Sequence, residues 1–532
     1  MEPITFQELH STMSKEQEVK LTGKYDEVSI ADGDVITSVK SPSGKEVVVK
    51  GNDIDIAMNL AMQLDSEDLD PRDDRKLFWK ASLYILPLIC LLYAVQFMDK
   101  ITNSGASLMG LRTDMKMVGD QYSWTGSAFY LGYLFFEFPA SYIIQRYSIS
   151  RCGGIFFFLW GTVLCLCAAT NYAGFIFLRV VLGMLESSVT PILMIITSQW
   201  YKLSEQFMLS AIWFSFCGVG GVLGGAISLG MVIHNELYSI AGWKLLFIVT
   251  GLMTVFLSVV FYFWIPDSPA DAWFLSEEEK IHAVKRIRKN QQGFGNKHFK
   301  RHQFIEAFRD HRTYIYFFFG LAISIPNGGL TTFGSIVMNS ILGYSVKQSL
   351  TYNIYQGLIE VFGCIIVASM IKFVKHRMIV CIFGCMLNLV FSGMLAFAKD
   401  PHVRLGGCLC LGMSVIGMFT MLSNFSSNVA GHTKKVTVNA VFLVAYGAGN
   451  IIGPQTFIES QAPQYVGGQI GMVVSYAVTL VLAIALYISY IMENRKRDRM
   501  VRSGEIESAN PGSNVAFADL TDKENPYFRY SL

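Results

Sequence analysis

The chain has 532 residues, 52% of them hydrophobic and only 16% charged, with a positive mean hydropathy and a formal net charge of +2. So apolar a composition is rare in a water-soluble domain of this length, and lipid is the expected solvent. The bases stand in short runs between apolar segments and form no broad patch, which excludes a nucleic-acid partner.

Residues 1–78 are polar and charged, with no short apolar region behind basic residues that would read as a secretory signal. They hold too few apolar residues in periodic register to fold alone, so they are expected to form a disordered cytoplasmic tail. Lys15, Lys20, Lys24, Lys40, Lys45 and Lys50 in this tail are candidate acceptors for ubiquitin and the endocytic machinery.

A bilayer core about 30 Å thick asks for about 20 apolar residues per helix. Twelve segments meet this: 80–104, 121–145, 151–169, 172–199, 207–233 and 243–265, then 312–339, 347–374, 376–398, 402–427, 433–459 and 468–492. The fold class is therefore an all-α polytopic membrane protein in two halves, with bundles at 79–265 and 312–492 and a cytoplasmic loop at 266–311 between them. A cytoplasmic tail covers 493–532. All ten cysteines lie in or at the edge of apolar runs and read as small unpaired core residues.

The first segment ends in "QFMDKITN", which places Asp99 beside Lys100 before the helical pattern stops. An intramembrane charge costs about 2.5 to 3.5 kcal/mol on insertion scales, so this pair should face a protein-lined cavity. In the fourth segment Arg179 and Glu186 are seven residues apart, two helical turns, and share one face. Pro191 just beyond them should open the backbone ladder and kink that helix. The fifth segment carries "CGVGGVLGG", whose glycines allow close helix contact.

Glu137, Asn327, Glu360, Asn424 and Asn450 also interrupt apolar runs. Each taken singly fits a helix–helix hydrogen bond, and together they suggest a wet path. In the central loop, "LSEEEKIHAVKRIRK" has a serine cap, then acids, then bases, and predicts a short surface helix. No Walker-type phosphate loop and no His/Cys metal spacing is present, so no cofactor or metal is expected and neither an ATP-driven pump nor an enzyme is indicated.

Lys and Arg gather in the connections after the second, fourth, eighth and tenth segments, at Arg146, Arg151, Lys202, Lys372, Lys375, Arg377, Lys434 and Lys435. By the positive-inside rule these connections and both termini are cytoplasmic.

Two six-helix halves joined by a basic loop resemble the major facilitator fold, in which the site lies between the halves near mid-membrane. More specifically, "LYAVQFMDKITNSGASLMG", "FWIPDSPADAWFLSEEEK", "SIPNGGLTTFGSI", "LVAYGAGNIIGPQTFI" and "FADLTDKENPYFRYSL" resemble stretches of the fungal allantoate permease family of the anion:cation symporters, over nearly the whole chain. That resemblance implies a monomeric, proton-coupled plasma-membrane transporter importing small organic carboxylates by alternating access. Its partners would be the organic anion, protons and the lipid bilayer. Allantoate and ureidosuccinate are the substrates it points to, with dipeptides beside them; nicotinate, pantothenate or another vitamin carboxylate is the alternative, and a non-transporting nutrient receptor a further one.

In the wider family an Asp-Arg pair on helix 1 and an Arg with a Glu seven residues on along helix 4 serve proton and anion coupling. The matching positions are Asp99, Lys100, Arg179 and Glu186, with lysine in place of arginine at 100. Asp99 and Glu186 are thus the expected proton carriers, and Lys100 and Arg179 the expected anion contacts. Asn327, Asn424 and Asn450 are further candidate substrate contacts, and Glu137 and Glu360 further intramembrane polar groups.

Overall fold

In hydrocarbon a backbone amide has no water to bond, so each apolar run satisfies itself as a helix. A computed structural model describes residues 35–40, 46–50, 71–288, 299–370, 374, 376–503 and 520–532. Twelve long helical segments cross the molecule: α1 (Pro71–Leu108), α2 (Gln121–Arg146), α3 (Ile149–Ala169), α4 (Tyr172–Trp200), α5 (Leu203–Ile233) and α6 (Gly242–Trp264) form one half. The other half is α7 (His311–Ile341), α8 (Val346–Met370), α9 (Arg377–Phe397), α10 (Pro401–Asn428), α11 (His432–Gln455) and α12 (Val466–Arg502). Ten of these are apolar enough to cross a membrane by composition alone. The other two, α2 and α8, are as long but carry Tyr130, Tyr133 and Glu137, or Asn353, Gln356 and Glu360, toward the interior.

Helix α1 begins at Pro71 rather than at 80, with proline at its first position and Asp73 and Asp74 in its first turn, where the helix dipole favours acids. Its polar leading turns are held by charge: Asp74 receives Lys202 and Arg286, each at 2.8 Å. Arg286 also binds Glu205 and lies on the predicted loop helix, found at Glu277–Arg288. Ser276 caps that helix, accepting from Glu279 N while its own N–H donates to the Glu279 carboxylate. Within the stretch expected to be unfolded, Val35–Lys40 pairs antiparallel with Glu46–Lys50, two short runs rich in β-branched residues. Lys15, Lys20, Lys24 and Lys45 lie outside the described residues.

Glycines of α5 do two separate jobs. Gly220 and Gly224 meet α1, while Gly218, Gly221 and Gly225 meet α8 of the opposite half. A Cβ on Gly218 would sit 2.4 Å from the Gly357 carbonyl oxygen, so the halves touch here only because neither helix has a side chain at the crossing.

At the face opposite the termini the halves are stitched together. Arg112 binds Glu459 at 3.2 Å, Tyr122 donates to the Thr332 carbonyl at 2.7 Å, Ser127 to the Ile451 carbonyl at 2.8 Å, and the Ser335 amide to Ser104 at 2.9 Å.

At the terminus-bearing face, the last residues of the chain do not trail away. Asn494 and Asn428 each exchange two hydrogen bonds with the backbone of Tyr530 and Ser531, at 2.7 to 3.0 Å, much as a neighbouring strand would. Tyr530 stacks on Tyr490, and the Arg312 guanidinium lies 4.2 Å from the Tyr530 ring centroid. Lys434 is 1% exposed and holds Glu306, Asp310 and Asp522 at 2.9, 3.0 and 2.7 Å. Burial pushes the Asp310 carboxyl up, but Lys434, Lys523 and Arg312 outweigh it and hold it at about 2. The stretch read as a tail from 493 is helix to Arg502 and a docked segment over 520–532, because buried cations on α7, α11 and α12 need its acid and carbonyl groups.

Candidate functional site

Helix α4 breaks where its charges lie. It runs as Tyr172–Glu186 and Val189–Trp200, joined by a turn at Ser187 and Ser188. Pro191 has no N–H for the Ser187 carbonyl, which releases the ladder one turn before the proline, so the kink falls beside Glu186. That carboxyl is fully buried, and it lies against α1: Lys100 Nζ is 3.1 Å from Glu186 Oε1. The contact is an ion pair without hydrogen-bond alignment, and neither Glu186 oxygen has a hydrogen-bond partner among the described residues.

The other two charges take neutral partners. Asp99 accepts from Trp160 Nε1 at 2.8 Å, and Arg179 Nε donates to the Thr125 carbonyl at 3.1 Å with its guanidinium over the Phe129 ring. The Arg179 Nη1 and Asp99 Oδ1 atoms are buried without hydrogen bonds. Two acids and two bases thus form one charge-balanced cluster, which is what a dry interior requires.

Of these four, Lys100 lines the chamber between the halves; Asp99, Arg179 and Glu186 lie behind its wall. The chamber has two neighbouring lobes that share part of their lining. The first, about 930 Å³, is lined by Lys100, Tyr133, Glu137, Phe214, Leu422 and Tyr446 among others. The second, about 640 Å³, carries Ser335, Asn353, Gln356 and Glu360. Phe97, Asn327, Thr331, Ser414 and Val415, on α1, α7 and α10, line both. The Lys100 ammonium stands 6.0 Å from the Tyr133 ring centroid, facing an aromatic wall completed by Tyr446.

Among the predicted substrate contacts, Asn327 lines both lobes, and Asn450 stands behind it, accepting its amide N–H at 2.8 Å. Asn424 is in neither lining; it accepts from Asn428 at 2.5 Å, beneath the docked C-terminal segment. Glu137 and Glu360 fall one in each lobe.

Reading single residues missed the company these acids keep. Tyr130, Tyr133 and Glu137, and likewise Asn353, Gln356 and Glu360, are spaced three and then four apart, so each trio shares a helical face, a signal present in the sequence. Asp267, in the loop after α6, was also missed. It accepts from Ser148 at 2.5 Å and from the Ser150 amide and hydroxyl, each at 2.8 Å, fastening the α2–α3 turn. Burial pushes its carboxyl up, but these hydrogen bonds and Arg151 hold it below the usual range.

With this geometry in hand, comparison with known proteins is direct. Residues 89–454 match the model of the Major Facilitator Superfamily. The chain is 46% identical over 511 residues to the allantoate permease of Saccharomyces cerevisiae, covering 94% of each chain. It is 43% identical to an uncharacterized transporter of Schizosaccharomyces pombe, over 90% of this chain and 94% of that one, and 31% identical to a thiamine pathway transporter of Saccharomyces cerevisiae, over 94% of each.

Among solved structures, a D-xylose-proton symporter superposes with a TM-score of 0.58 at 13% identity, over 76% of this chain and 96% of that one. A bacterial homolog of the lysosomal transporter Spinster, inward-facing and occupied, gives 0.54 at 14% identity, over 76% and 96%. These two likenesses speak for the fold alone. The chain belongs to the Major Facilitator Superfamily and is a multi-pass secondary transporter, not an enzyme.

Proposed function

We propose that this chain imports ureido carboxylates, allantoate foremost, together with protons, across the plasma membrane with both termini in the cytoplasm. The observation that carries the reading is the Lys100–Glu186 ion pair, in which the base reaches the chamber and the acid does not. A substrate carboxylate entering the first lobe competes with Glu186 for the same ammonium. If the substrate takes it, Glu186 is left buried without its cation and is stable only with a proton. Anion binding and proton binding thereby become one event, which is what coupling means.

Asp99, held by Trp160, keeps the cluster neutral while Lys100 changes partner. Arg179, with one amino group unbonded, is placed to take a share of the negative charge that moves. One proton with one monovalent anion is electroneutral, and each pH unit then supplies about 1.4 kcal/mol of driving force. The 46% identity with an allantoate permease supports the substrate, and the gathering of Lys and Arg on alternate loops supports the orientation. Dipeptides belong to the same proposal as carboxylates with amide groups.

The deciding experiment is uptake of labelled allantoate by yeast lacking its own permease, in acid and in alkaline medium, with and without a protonophore. Accumulation strongest in acid and abolished by the protonophore is the expected result. No uptake by protein shown to be at the cell surface sinks the substrate assignment. A vitamin carboxylate is the second reading, tested by whether nicotinate or pantothenate is taken up instead.

A further inference from the structure

The second lobe holds a buried acid with no base beside it among the described residues. Glu360 is 3% exposed, and its Oε1 atom is buried with no hydrogen bond. No Lys, Arg or His is among the described residues lining the lobe, so nothing there balances it.

Each neighbouring amide has one N–H committed elsewhere. Asn353 Nδ2 donates to Ser335 Oγ at 2.9 Å, Gln356 Nε2 to the Cys408 carbonyl at 3.2 Å, and Asn327 Nδ2 to Asn450 at 2.8 Å. Thr331, between the lobes, donates its hydroxyl to the Asn327 carbonyl of its own helix at 2.9 Å. The Glu360 carboxyl is thus the one charged group lining the lobe among the described residues, an acceptor with an unbonded oxygen, and the amide carbonyls beside it are further acceptors. The first lobe differs in having a cation, Lys100, which offers only protons and stands in the same lining as Glu137.

We propose that the Glu360 lobe binds the N–H-bearing end of the substrate while Lys100 holds its carboxylate. The site then selects carboxylates that carry ureido or amide N–H groups at the far end. This rests on the chamber being the transport site. A dicarboxylate of the same length would set a second anion against Glu360, and an apolar tail would leave that carboxyl buried and unbonded, so both are disfavoured. Glu360, with Asn353 and Gln356 two turns and one turn before it on α8, is thus a specificity-determining residue distinct from the charge cluster that couples the proton.

The test is competition in cells expressing the full chain, with each variant normalised to the amount at the surface. Labelled allantoate is competed with a ureido carboxylate and with an aliphatic carboxylate of matched length lacking N–H groups. Glu360→Ala should weaken the ureido competitor by about 10- to 100-fold and leave the aliphatic one within about twofold. Glu360→Gln, which keeps one carbonyl oxygen and is the safer variant for folding, should weaken the ureido competitor by about tenfold or less and tolerate a dicarboxylate better. Equal weakening of both competitors, or of neither, overturns the proposal. If the unmodified chain takes up no ureido carboxylate at all, the transport reading falls and this one with it; if uptake is intact but the variants do not discriminate, this one falls alone.

Discussion

The second helix of each half carries the same pattern and does different work with it. On α2 the inward trio is Tyr130, Tyr133 and Glu137; on α8 it is Asn353, Gln356 and Glu360. Around the first stand two bases and two more acids, Lys100 paired with Glu186 and Arg179 near Asp99. Around the second, among the described residues, there is no base at all. The N-terminal half answers buried charge with charge, the basis of the proton coupling proposed above. The C-terminal half leaves its buried acid among neutral polar groups, the basis of the N–H selection proposed above. Its buried cations among the described residues, Lys434, Arg312 and Arg497, are kept at the terminus-bearing end.

The comparison is broken most sharply at Lys100. Lys100→Ala removes the ion pair and the anion contact together, and uptake should fall by at least about 100-fold, read as initial rate per transporter at the surface. Glu186→Gln separates the two roles. It leaves Lys100 free to hold the anion, so downhill exchange should persist while accumulation against a gradient, and its sensitivity to a protonophore, disappear. Accumulation by Glu186→Gln cells at the normal level would remove Glu186 from the coupling.

Next in size is Lys434. Its replacement by alanine leaves Asp310 and Asp522 buried around an absent cation, a loss of about 3 to 5 kcal/mol. Thermal unfolding of purified protein should show it, and a protease should then reach the C-terminal segment. An unchanged melting temperature would mean the cluster does not hold the half together.

Acid offers a gentler way in. Asp310 is held at about 2, below the ordinary carboxyl value near 3.9, so its stabilising effect is complete above about pH 4 and is lost as pH falls toward 2. Docking of residues 520–532 should therefore be the same at neutral and mildly acidic pH and worth on the order of 2 kcal/mol less in strong acid. Release of the segment between pH 7 and 5, seen as new cleavage near residue 520, would contradict that assignment. The smallest effect belongs to Lys80, whose 2.6 Å pair with Glu279 is over a third exposed. Lys80→Ala should cost less than about 1 kcal/mol and leave uptake unchanged.

Much of the site could be seen in the sequence, though not its pairings. Seven-residue spacing put Arg179 and Glu186 on one face, and both are buried there. Sharing a face did not make them partners: Glu186 found Lys100 across the helix boundary, and Arg179 a backbone carbonyl. Pro191 signalled a kink, and the break came at Ser187 and Ser188. Asn327 and Asn450 were picked out singly, whereas the structure shows one bonded to the other. Asn424 had the same credentials and lies instead under the C-terminal segment, since composition says that an amide is buried and not what it is buried against.

The sequence by itself determined the twelve helices, the two halves and the charges that interrupt them. Each helix is a local consequence of lipid, which leaves a backbone amide no partner outside its own segment. Tertiary structure alone decided that Lys100 reaches the chamber while Glu186 stands behind it, that Asn353 bonds Ser335 and Gln356 the Cys408 carbonyl, and that Tyr530 closes over Arg312. Those contacts join residues 18 to 218 positions apart, and they depend on how each helix is rotated about its axis against its neighbours, a quantity set by packing of the whole bundle and by no single stretch of chain.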